Sequence, residues 1–526
     1  MPAAVAWLAL GELAVVLCGC PLNRRAPSLE GHGETLIVGR ASEPLGLDPA
    51  RVTDSESIET CEQIFEHLVR YGWDSMEIEP ALATRWEVSA DGRQWTFHLR
   101  AGVTFHDGTP LNADAVVFSL ERQRDSTHPD HKNDFIYWES SFRNIQKVEK
   151  LDDATVRITI ERPYAPFLAN LAMAPVSILS PQAVRRAGAG YDRRPVGTGP
   201  FKFVEWIPGD RVVLAANPYY WGGAPKLEYL VYRPIRDPRQ RLQAMEGNAI
   251  DVAYGLSPHD IPYVRLHPDL VLHRIAANNV AYLAMNTQKA PFNDVRVRRA
   301  VNHAINKLPI VKLIHQGLAT PARGPVPPGI WSALEDQPDY RFDRERARAL
   351  LEEAGVSARL RPRLYTPADA RPYLPAPERV ARIISYNLRD VGLNVEVVSQ
   401  PVGAHLRSIA YGEHDLCLHG WTGDNGDPDN FLYMLLDRDN TVPGLAKNVA
   451  FYRNGALHGL LIWARESSDR AERDRLYRQA QRIVHEDAPW VPLWYSDFVT
   501  VSHRDVVGLK LHPSATVYYR TVRHAR

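Results

Sequence analysis

The residues with the strongest chemical character lie in one loop, residues 420–430. Three aspartates, Asp424, Asp427 and Asp429, fall within six positions there, and their mutual repulsion needs an offset. Calcium in an EF-hand would supply one, but the required glycine and final glutamate of that motif are absent. Two interpretations remain open. The loop is either an Asp/Asn/Gly-rich turn after a buried strand, or it holds a carboxylate that binds a cation beside an aromatic side chain in a cleft.

Other patterns that could indicate catalysis or metal binding are weak. His98 and His106 stand eight positions apart, and residues 485–487 (His-Glu-Asp) lack the second histidine of a zinc protease helix. Residues 197–200 (Gly-Thr-Gly-Pro) lack the Gly-Lys-Ser/Thr ending of a phosphate loop, so we expect a turn there. Neither Gly-x-Ser-x-Gly nor Cys-x-x-Cys occurs. The sequence therefore favours binding over catalysis, and we expect no metal and no cofactor.

The spacing of apolar residues predicts the elements that position this loop. Strands are expected where apolar and polar residues alternate or where short apolar runs end in turns, and helices where apolar residues recur at helical spacing. The predicted strands are 35–39, 86–89, 95–99, 156–160, 212–216, 394–398, 415–419 and 490–495. The predicted helices are 55–71, 112–122, 297–314 with a break or kink at Pro309, 343–354, 378–391 and 469–486. This pattern indicates a mixed α/β protein with a strand-rich first lobe and an α/β second lobe, and ligands often bind between such lobes.

Composition excludes two classes of protein. Among 526 residues, 62 are Lys or Arg and 62 are Asp or Glu, so there is no basic excess to neutralise nucleic acid phosphates. A hydrophobic content of 45% with no net charge is also incompatible with a disordered chain. Cys61 and Cys417 are 356 positions apart in segments of regular structure, and we expect them to be unpaired and buried.

The first twenty residues are apolar and end in Leu17-Cys18-Gly19-Cys20. An apolar run followed by small residues is typical of a secretory signal. The ending resembles the lipoprotein box of bacteria, which implies that Cys20 is acylated after cleavage and anchors the protein to a bilayer. Two features depart from that pattern, because no Lys or Arg precedes the run and Glu12 lies inside it. A signal peptide that is cleaved without lipidation is the alternative.

Several segments, taken in order, resemble a known family. They are residues 82–122, with Trp95-Thr-Phe-His-Leu-Arg-Ala-Gly-Val-Thr-Phe-His-Asp-Gly-Thr-Pro-Leu inside, residues 196–201 (Val-Gly-Thr-Gly-Pro-Phe), 217–222 (Asn-Pro-Tyr-Tyr-Trp-Gly), 285–287 (Met-Asn-Thr) and 291–302. Together they are similar to the bacterial extracellular solute-binding proteins of family 5, the receptors of ABC-type peptide importers. The resemblance covers essentially the whole mature chain and is strongest to the receptors for dipeptides.

The resemblance implies a ligand site. The family's aspartate after Trp-Thr-Gly pairs with the α-ammonium of the ligand, and Asp424 matches it. The arginine of its Arg-Pro-Tyr motif binds the α-carboxylate, and Arg371 matches it, 53 positions earlier. Trp421 and Tyr373 are then expected as pocket walls or as core residues, and Tyr137 and Trp138 are expected to reach the cleft from the first lobe. The family's cysteine pair after the Asp-rich loop is missing here, because residues 437–455 contain no cysteine.

The resemblance also implies the architecture, an α/β periplasmic-binding-protein-like fold of two lobes that close about a hinge. The expected divisions are a signal peptide with lipobox at 1–20, a tether at 21–34, a first lobe at 35–275 plus 491–526, and a second lobe at 276–490. An extra subdomain at about 72–192 is expected in the first lobe. The implied partners are a dipeptide or other short peptide and ABC permease subunits, with the protein as a monomer in the periplasm or on the outer face of the envelope.

Alternatives to dipeptide capture remain open at this point. Relatives within the family bind haem, nickel complexes, longer peptides or antimicrobial peptides. Haem would need a methionine or histidine as axial ligand, and no such pair is evident in the sequence. A peptide hydrolase of the envelope would need an activated nucleophile or a metal, and the sequence indicates neither. A receptor that signals through a membrane sensor cannot be distinguished from an importer by sequence.

Overall fold

The computed structural model describes residues 34–525, so the signal, the lipobox with Cys20 and nearly all of the tether lie outside the described residues. The strands are β1 Thr35–Arg40, β2 Val69–Tyr71, β3 Ile78–Pro80, β4 Ala83–Val88, β5 Gln94–Leu99, β6 Ile145–Asp152, β7 Thr155–Ile160, β8 Phe201–Ile207, β9 Arg211–Ala216, β10 Tyr229–Pro234, β11 Val252–Tyr254, β12 Leu270–Ala276, β13 Asn279–Met285, β14 Ala319–Pro321, β15 Arg363–Pro367, β16 Glu396–Gln400, β17 Leu416–Thr422, β18 Trp490–His503, β19 Val506–Val507, β20 Lys510–Leu511, β21 Val517–Tyr518 and β22 Arg523–His524.

Most of the longer helices begin at a side chain that caps free backbone N–H groups. Asn112 and Asp343, for example, each accept from the residue three positions on. The α-helices are α1 Ser55–Ile64, α2 Ala113–Arg124, α3 Phe167–Asn170, α4 Pro181–Ala187, α5 Pro238–Glu246, α6 Ile261–Leu266, α7 Val295–Ala304, α8 Lys307–His315, α9 Arg344–Glu353, α10 Pro377–Asp390, α11 Val402–Ala410, α12 Asp429–Leu436, α13 Gly455–Glu466 and α14 Arg470–Asp487. A π-helical turn covers Trp138–Phe142.

One sheet of twelve strands runs through both lobes. Its order is β16-β15-β17-β13-β18-β11-β1-β10-β9-β8, and β12 and β14 also pair with β18. The long strand β18 joins the two halves, because its first part pairs with β13 and β14 and its second part with β11 and β12. The two-lobed α/β architecture is thus confirmed. The exact residues that divide the lobes stay a prediction.

The hairpin predicted around the Asp-Gly turn is confirmed. β4 and β5 pair antiparallel with Trp86 opposite Phe97, and a second sheet of order β4-β5-β7-β6 forms around them. Helix α2 packs on β6 and β7 of this sheet. These elements lie within the segment expected to form the extra subdomain, whose limits at 72 and 192 stay a prediction.

The helix predicted over residues 55–71 is shorter than expected. It ends at Ile64, and the chain then extends into β2. Residues 197–199 explain the end, because Gly199 donates to the Ile64 carbonyl and a Cβ on Gly197 would lie 2.1 Å from that oxygen. The side chain of Glu66 accepts hydrogen bonds from Thr198 and from two aromatic residues. The Gly-Thr-Gly segment therefore packs against a helix end, as expected of a turn.

The predicted break in the helix over residues 297–314 lies before Pro309. Helix α7 ends at Ala304 and α8 begins at Lys307, so Pro309 occupies the first turn of α8. Proline is tolerated there because the first N–H groups of a helix have no partner inside the helix. The sequence predicted the interruption within a few residues of its position, but the helix is interrupted between Ala304 and Lys307 and not at Pro309.

Both cysteines in the described part of the chain are free and buried, as predicted. Cys61 belongs to a core cluster of the first lobe and Cys417 to the large core that spans both lobes. None of the helices within residues 34–525 combines the length and the apolar character needed to cross a bilayer.

Candidate functional site

The Asp-rich loop begins where β17 ends. The first residue of the neighbouring strand β13 lies next to that point. Gly423 donates to the Asn278 carbonyl at 2.7 Å, and the Asn278 amide donates to the Asn425 carbonyl at 3.0 Å. A Cβ on Gly423 would lie 2.4 Å from the Asn278 amide nitrogen, so the loop can approach this closely only with glycine at that position. Asp424, which follows, is thereby held at a fixed place beside the start of β13.

The carboxylate of Asp424 has neutral partners. Asn430 donates to one oxygen at 3.3 Å and the hydroxyl of Tyr137 to the other at 3.4 Å. Within residues 34–525, no Lys, Arg or His lies within ion-pairing distance of it. Burial raises the pKa of Asp424 above its usual value, although the two hydrogen bonds and the more distant charge of Lys447 oppose that shift. An ionised carboxylate that is enclosed by protein without a counter-charge is unfavourable, and binding of a positively charged group relieves this cost.

The other two aspartates of the loop do have cationic partners. Arg473 donates to both carboxylate oxygens of Asp427, each at 2.8 Å, and both side chains are buried. Asp429 lies 3.1 Å from Arg465, and burial raises its pKa to about 6. The repulsion expected between the aspartates is thus offset by two arginines. Of the three, Asp424 is the one that has no such partner in the described chain.

Asn430 organises the surroundings of Asp424, and sequence reasoning missed it. Its side-chain oxygen accepts from the backbone N–H of Asp424 at 3.0 Å and from the indole N–H of Trp421 at 2.8 Å. Trp421 therefore stands fixed beside the carboxylate and remains partly exposed. Tyr137 reaches the carboxylate from the first lobe as expected, whereas Trp138 is 4% exposed and packs in the core.

Arg371 lies in a short turn after β15. Its backbone exchanges two hydrogen bonds of 2.9 Å with Leu374, and the carbonyl of Tyr373 accepts from the indole of Trp494 at 2.8 Å, which fixes the turn to β18. The side chain of Arg371 is partly exposed, and its charge lies near enough to the Tyr373 hydroxyl to lower the pKa of that group. Burial raises the pKa of the Tyr373 hydroxyl.

Tyr373 brings the two predicted motifs together. Its ring lies over Gly420, where a Cβ would be 2.3 Å from the ring carbon Cδ2. The segment of Arg371 therefore packs against β17 at Gly420, four residues before Asp424. Tyr373 itself is 7% exposed and belongs to the core of the second lobe, so it positions Arg371 more than it lines a pocket.

The loop also contacts the first lobe directly. The amide of Asn425 donates to Asn170 at 2.6 Å, and the hydroxyl of Tyr164 donates to Asp429 at 3.3 Å. The backbone N–H of Gly426 donates to the hydroxyl of Tyr71 at 3.3 Å. The loop that carries Asp424 is therefore in contact with residues of the segment predicted to form the first lobe.

One group of possible metal ligands exists within the described residues. Asp437, Asp439 and His458 hold their ligand atoms within 4.8 Å of one another after helix α12. The imidazole of His458 lies 3.0 Å from a carboxylate oxygen of Asp437, which is an ordinary hydrogen bond. Since Asp437 also caps the following turn through the N–H of Asp439, the contacts within this group account for its geometry without an ion.

Comparison with known proteins identifies relatives over nearly the full length. Residues 77–442 match the model of the bacterial extracellular solute-binding proteins, family 5. A protein named heme-binding protein A from Haemophilus influenzae is 36% identical, with 93% of this chain and 94% of that protein aligned. The dipeptide-binding protein of Escherichia coli is 33% identical, with 98% and 99% aligned.

A solved structure agrees with these relatives. The ABC transporter-associated periplasmic binding protein DppA from Helicobacter pylori, in complex with the peptide STSA, is 35% identical. It superimposes with a TM-score of 0.79 over 94% of this chain and 98% of that one.

Proposed function

Because this chain belongs to the bacterial extracellular solute-binding proteins of family 5, we propose that it is the substrate-binding component of an ABC-type peptide importer. It captures dipeptides or other short peptides between its lobes and delivers them to a membrane permease. The observation that carries the proposal is the carboxylate of Asp424, which has no cationic partner in the described chain and follows the strand against which the turn of Arg371 packs.

The charges explain how one receptor can serve many peptides. A dipeptide always carries an ammonium and a carboxylate at its ends, while its side chains vary. Asp424 neutralises the ammonium, and the planar guanidinium of Arg371 binds the carboxylate in a bidentate manner. Recognition then depends on the two termini and on the distance between them, and the side chains need only space.

Closure of the lobes strengthens both contacts. Tyr137 of the first lobe reaches Asp424, and the hydrogen bonds of Asn425 and Asp429 to the same lobe surround the loop. Excluding water lowers the local dielectric, so an ion pair between ligand and protein gains in strength. The closed, loaded form is the one that a permease would accept, in the manner of hinge-closing receptors.

The remaining parts of the proposal concern partners and location. The chain acts as a monomer without catalytic activity, and the energy for transport comes from a separate ATPase, since the sequence has no Gly-x-x-x-x-Gly-Lys-Ser/Thr motif. Membership of this family supports a location in the periplasm or on the outer face of the envelope. Trp421 and Tyr373 support the two charged residues there.

Lipidation of Cys20 would tether the protein to the membrane. Expression of the full chain with Cys20→Ser is expected to move the protein from the membrane fraction to the soluble fraction, because its acyl anchor is lost. Incorporation of labelled palmitate into the wild type but not the variant checks the cause. An unchanged distribution, with no label in either protein, would show that the lipobox is not used.

Ligands with blocked termini test the charge model. In calorimetry with the wild-type protein, alanyl-alanine is expected to bind, whereas its N-acetyl and its C-terminal amide forms should each bind at least about tenfold more weakly, a difference of ~1.4 kcal/mol. Each blocked form removes one terminal charge and leaves the peptide otherwise similar. Equal affinity of free and blocked peptides would refute recognition through the termini.

Haem is a second candidate ligand because one relative at 36% identity carries the name heme-binding protein A. Haem iron needs a neutral imidazole or a thioether as axial ligand. A titration of the protein with hemin distinguishes the candidates, since axial binding shifts the Soret band. We expect no stoichiometric shift, and a shift that alanyl-alanine suppresses would assign haem to the same site.

A further inference from the structure

His419 lies in β17, one residue before the glycine that the Tyr373 ring covers and five before Asp424, and it has no evident structural task. It occupies β17 directly opposite Tyr282 of β13. Side chains alternate along a strand, so His419 shares a face with Trp421 and is one residue from Gly420, on which Tyr373 rests. Its imidazole is 6.2 Å from the Tyr373 ring and 5.8 Å from the Tyr282 ring, in edge contacts.

The imidazole has no hydrogen-bond partner in the described part of the chain. Neither nitrogen is among the fully enclosed polar atoms that lack one, and the residue is partly exposed, so the ring nitrogens keep some accessible surface. By contrast, the nearby His405 uses its Nε2 on the carbonyl of Leu418 at 3.1 Å. A polar ring kept in place by aromatic neighbours and left without a partner is suited to contact a bound molecule.

The surroundings of His419 keep it neutral and favour an anion. Burial lowers its pKa to about 3, and the charged groups that act most strongly on it are all cationic or potentially so: His405, Arg371, Lys447 and His414. The rings that pack against it are those of Tyr282, Tyr373 and His405. A neutral imidazole offers one N–H donor, and the nearby guanidinium of Arg371 attracts a carboxylate.

We propose that His419 is a third ligand-binding residue, whose ring N–H donates to the same carboxylate of the ligand that Arg371 binds. This inference rests on the proposed function and deepens it, because it names a residue that selects ligands with a free carboxylate over ligands with an amide at that end. An amide carries no negative charge, and it cannot accept from both Arg371 and His419 as strongly.

The test compares His419→Leu with wild type on two ligands, alanyl-alanine and its C-terminal amide, by calorimetry on the full mature chain. We expect the variant to bind the free acid at least about tenfold more weakly and the amide less than about threefold more weakly. His259→Leu, at an exposed site of the first lobe, serves as the control and should match wild type. Equal losses for both ligands, or no loss, would overturn the proposal.

A second variant guards against a folding defect. His419→Gln keeps a side-chain N–H donor of similar reach, so it should bind the free acid within about threefold of wild type. If the folded Gln variant loses as much affinity for the acid as the Leu variant, the donated hydrogen bond is not the reason for the loss, and the proposal fails. If wild type does not bind alanyl-alanine at all, the proposed function itself is wrong. If wild type binds it but the His419 variants do not lose affinity for the free acid more than for the amide, only the role of His419 is wrong.

Discussion

Replacing Asp424 by asparagine is expected to weaken the binding of alanyl-alanine by about 30-fold or more, equivalent to ~2 kcal/mol, because the ligand ammonium is then left in a closed cleft without a counter-charge. Asparagine preserves the shape of the side chain and an oxygen that can accept from Asn430 or Tyr137. Calorimetry at neutral pH measures the loss directly.

The same substitution should not destabilise the free protein. Burial raises the pKa of Asp424, so above that pKa its charge is less favourable in the folded than in the unfolded chain. Removing the charge therefore leaves the melting temperature of the ligand-free protein unchanged or higher. Asp474→Asn is the matched control, because within residues 34–525 that half-exposed carboxylate forms its ion pair with Arg478, one helical turn away. A folded Asp424→Asn protein with wild-type affinity would disprove the role of Asp424.

Replacing Asp427 by leucine should have the largest effect on stability. Its carboxylate pairs with Arg473, and the two side chains are 5% and 7% exposed. Loss of one partner leaves the guanidinium buried without its counter-charge, which costs about 3–5 kcal/mol. Urea unfolding followed by tryptophan fluorescence should show the lower free energy of unfolding, while Asp474→Asn loses less than about 1 kcal/mol.

A double variant separates the ion pair from simple packing. When Asp427→Leu is combined with Arg473→Leu, no charge is stranded, so the double variant should be more stable than the single Asp427→Leu variant. The hydrogen bonds of Arg473 to Ala464 and Tyr477 are lost as well, which keeps the recovery incomplete. If the loss of stability in the double variant equals the sum of the losses in the two single variants, the two residues are not coupled, and the assignment of the ion pair is contradicted.

The elements that follow local rules were predictable from sequence. The Asp-Gly hairpin, the strand before the Asp-rich loop and the helix from residue 343 depend on apolar periodicity, turn residues and N-caps, which act within a few positions. The early end of α1 was not predictable in this way. It depends on Gly197 and Gly199, more than 130 positions away, which approach the carbonyl of Ile64.

The candidate site divides in the same manner. The sequence by itself determined which residue types are available: a cluster of aspartates, an Arg-Pro-Tyr motif and their order in a family pattern. Only the tertiary structure decided which aspartate lacks a cation, because Arg465 and Arg473 reach Asp429 and Asp427 from helices later in the chain. Charge pairing, burial and an unused imidazole such as His419 depend on distances between elements, and those distances exist only once the chain has folded.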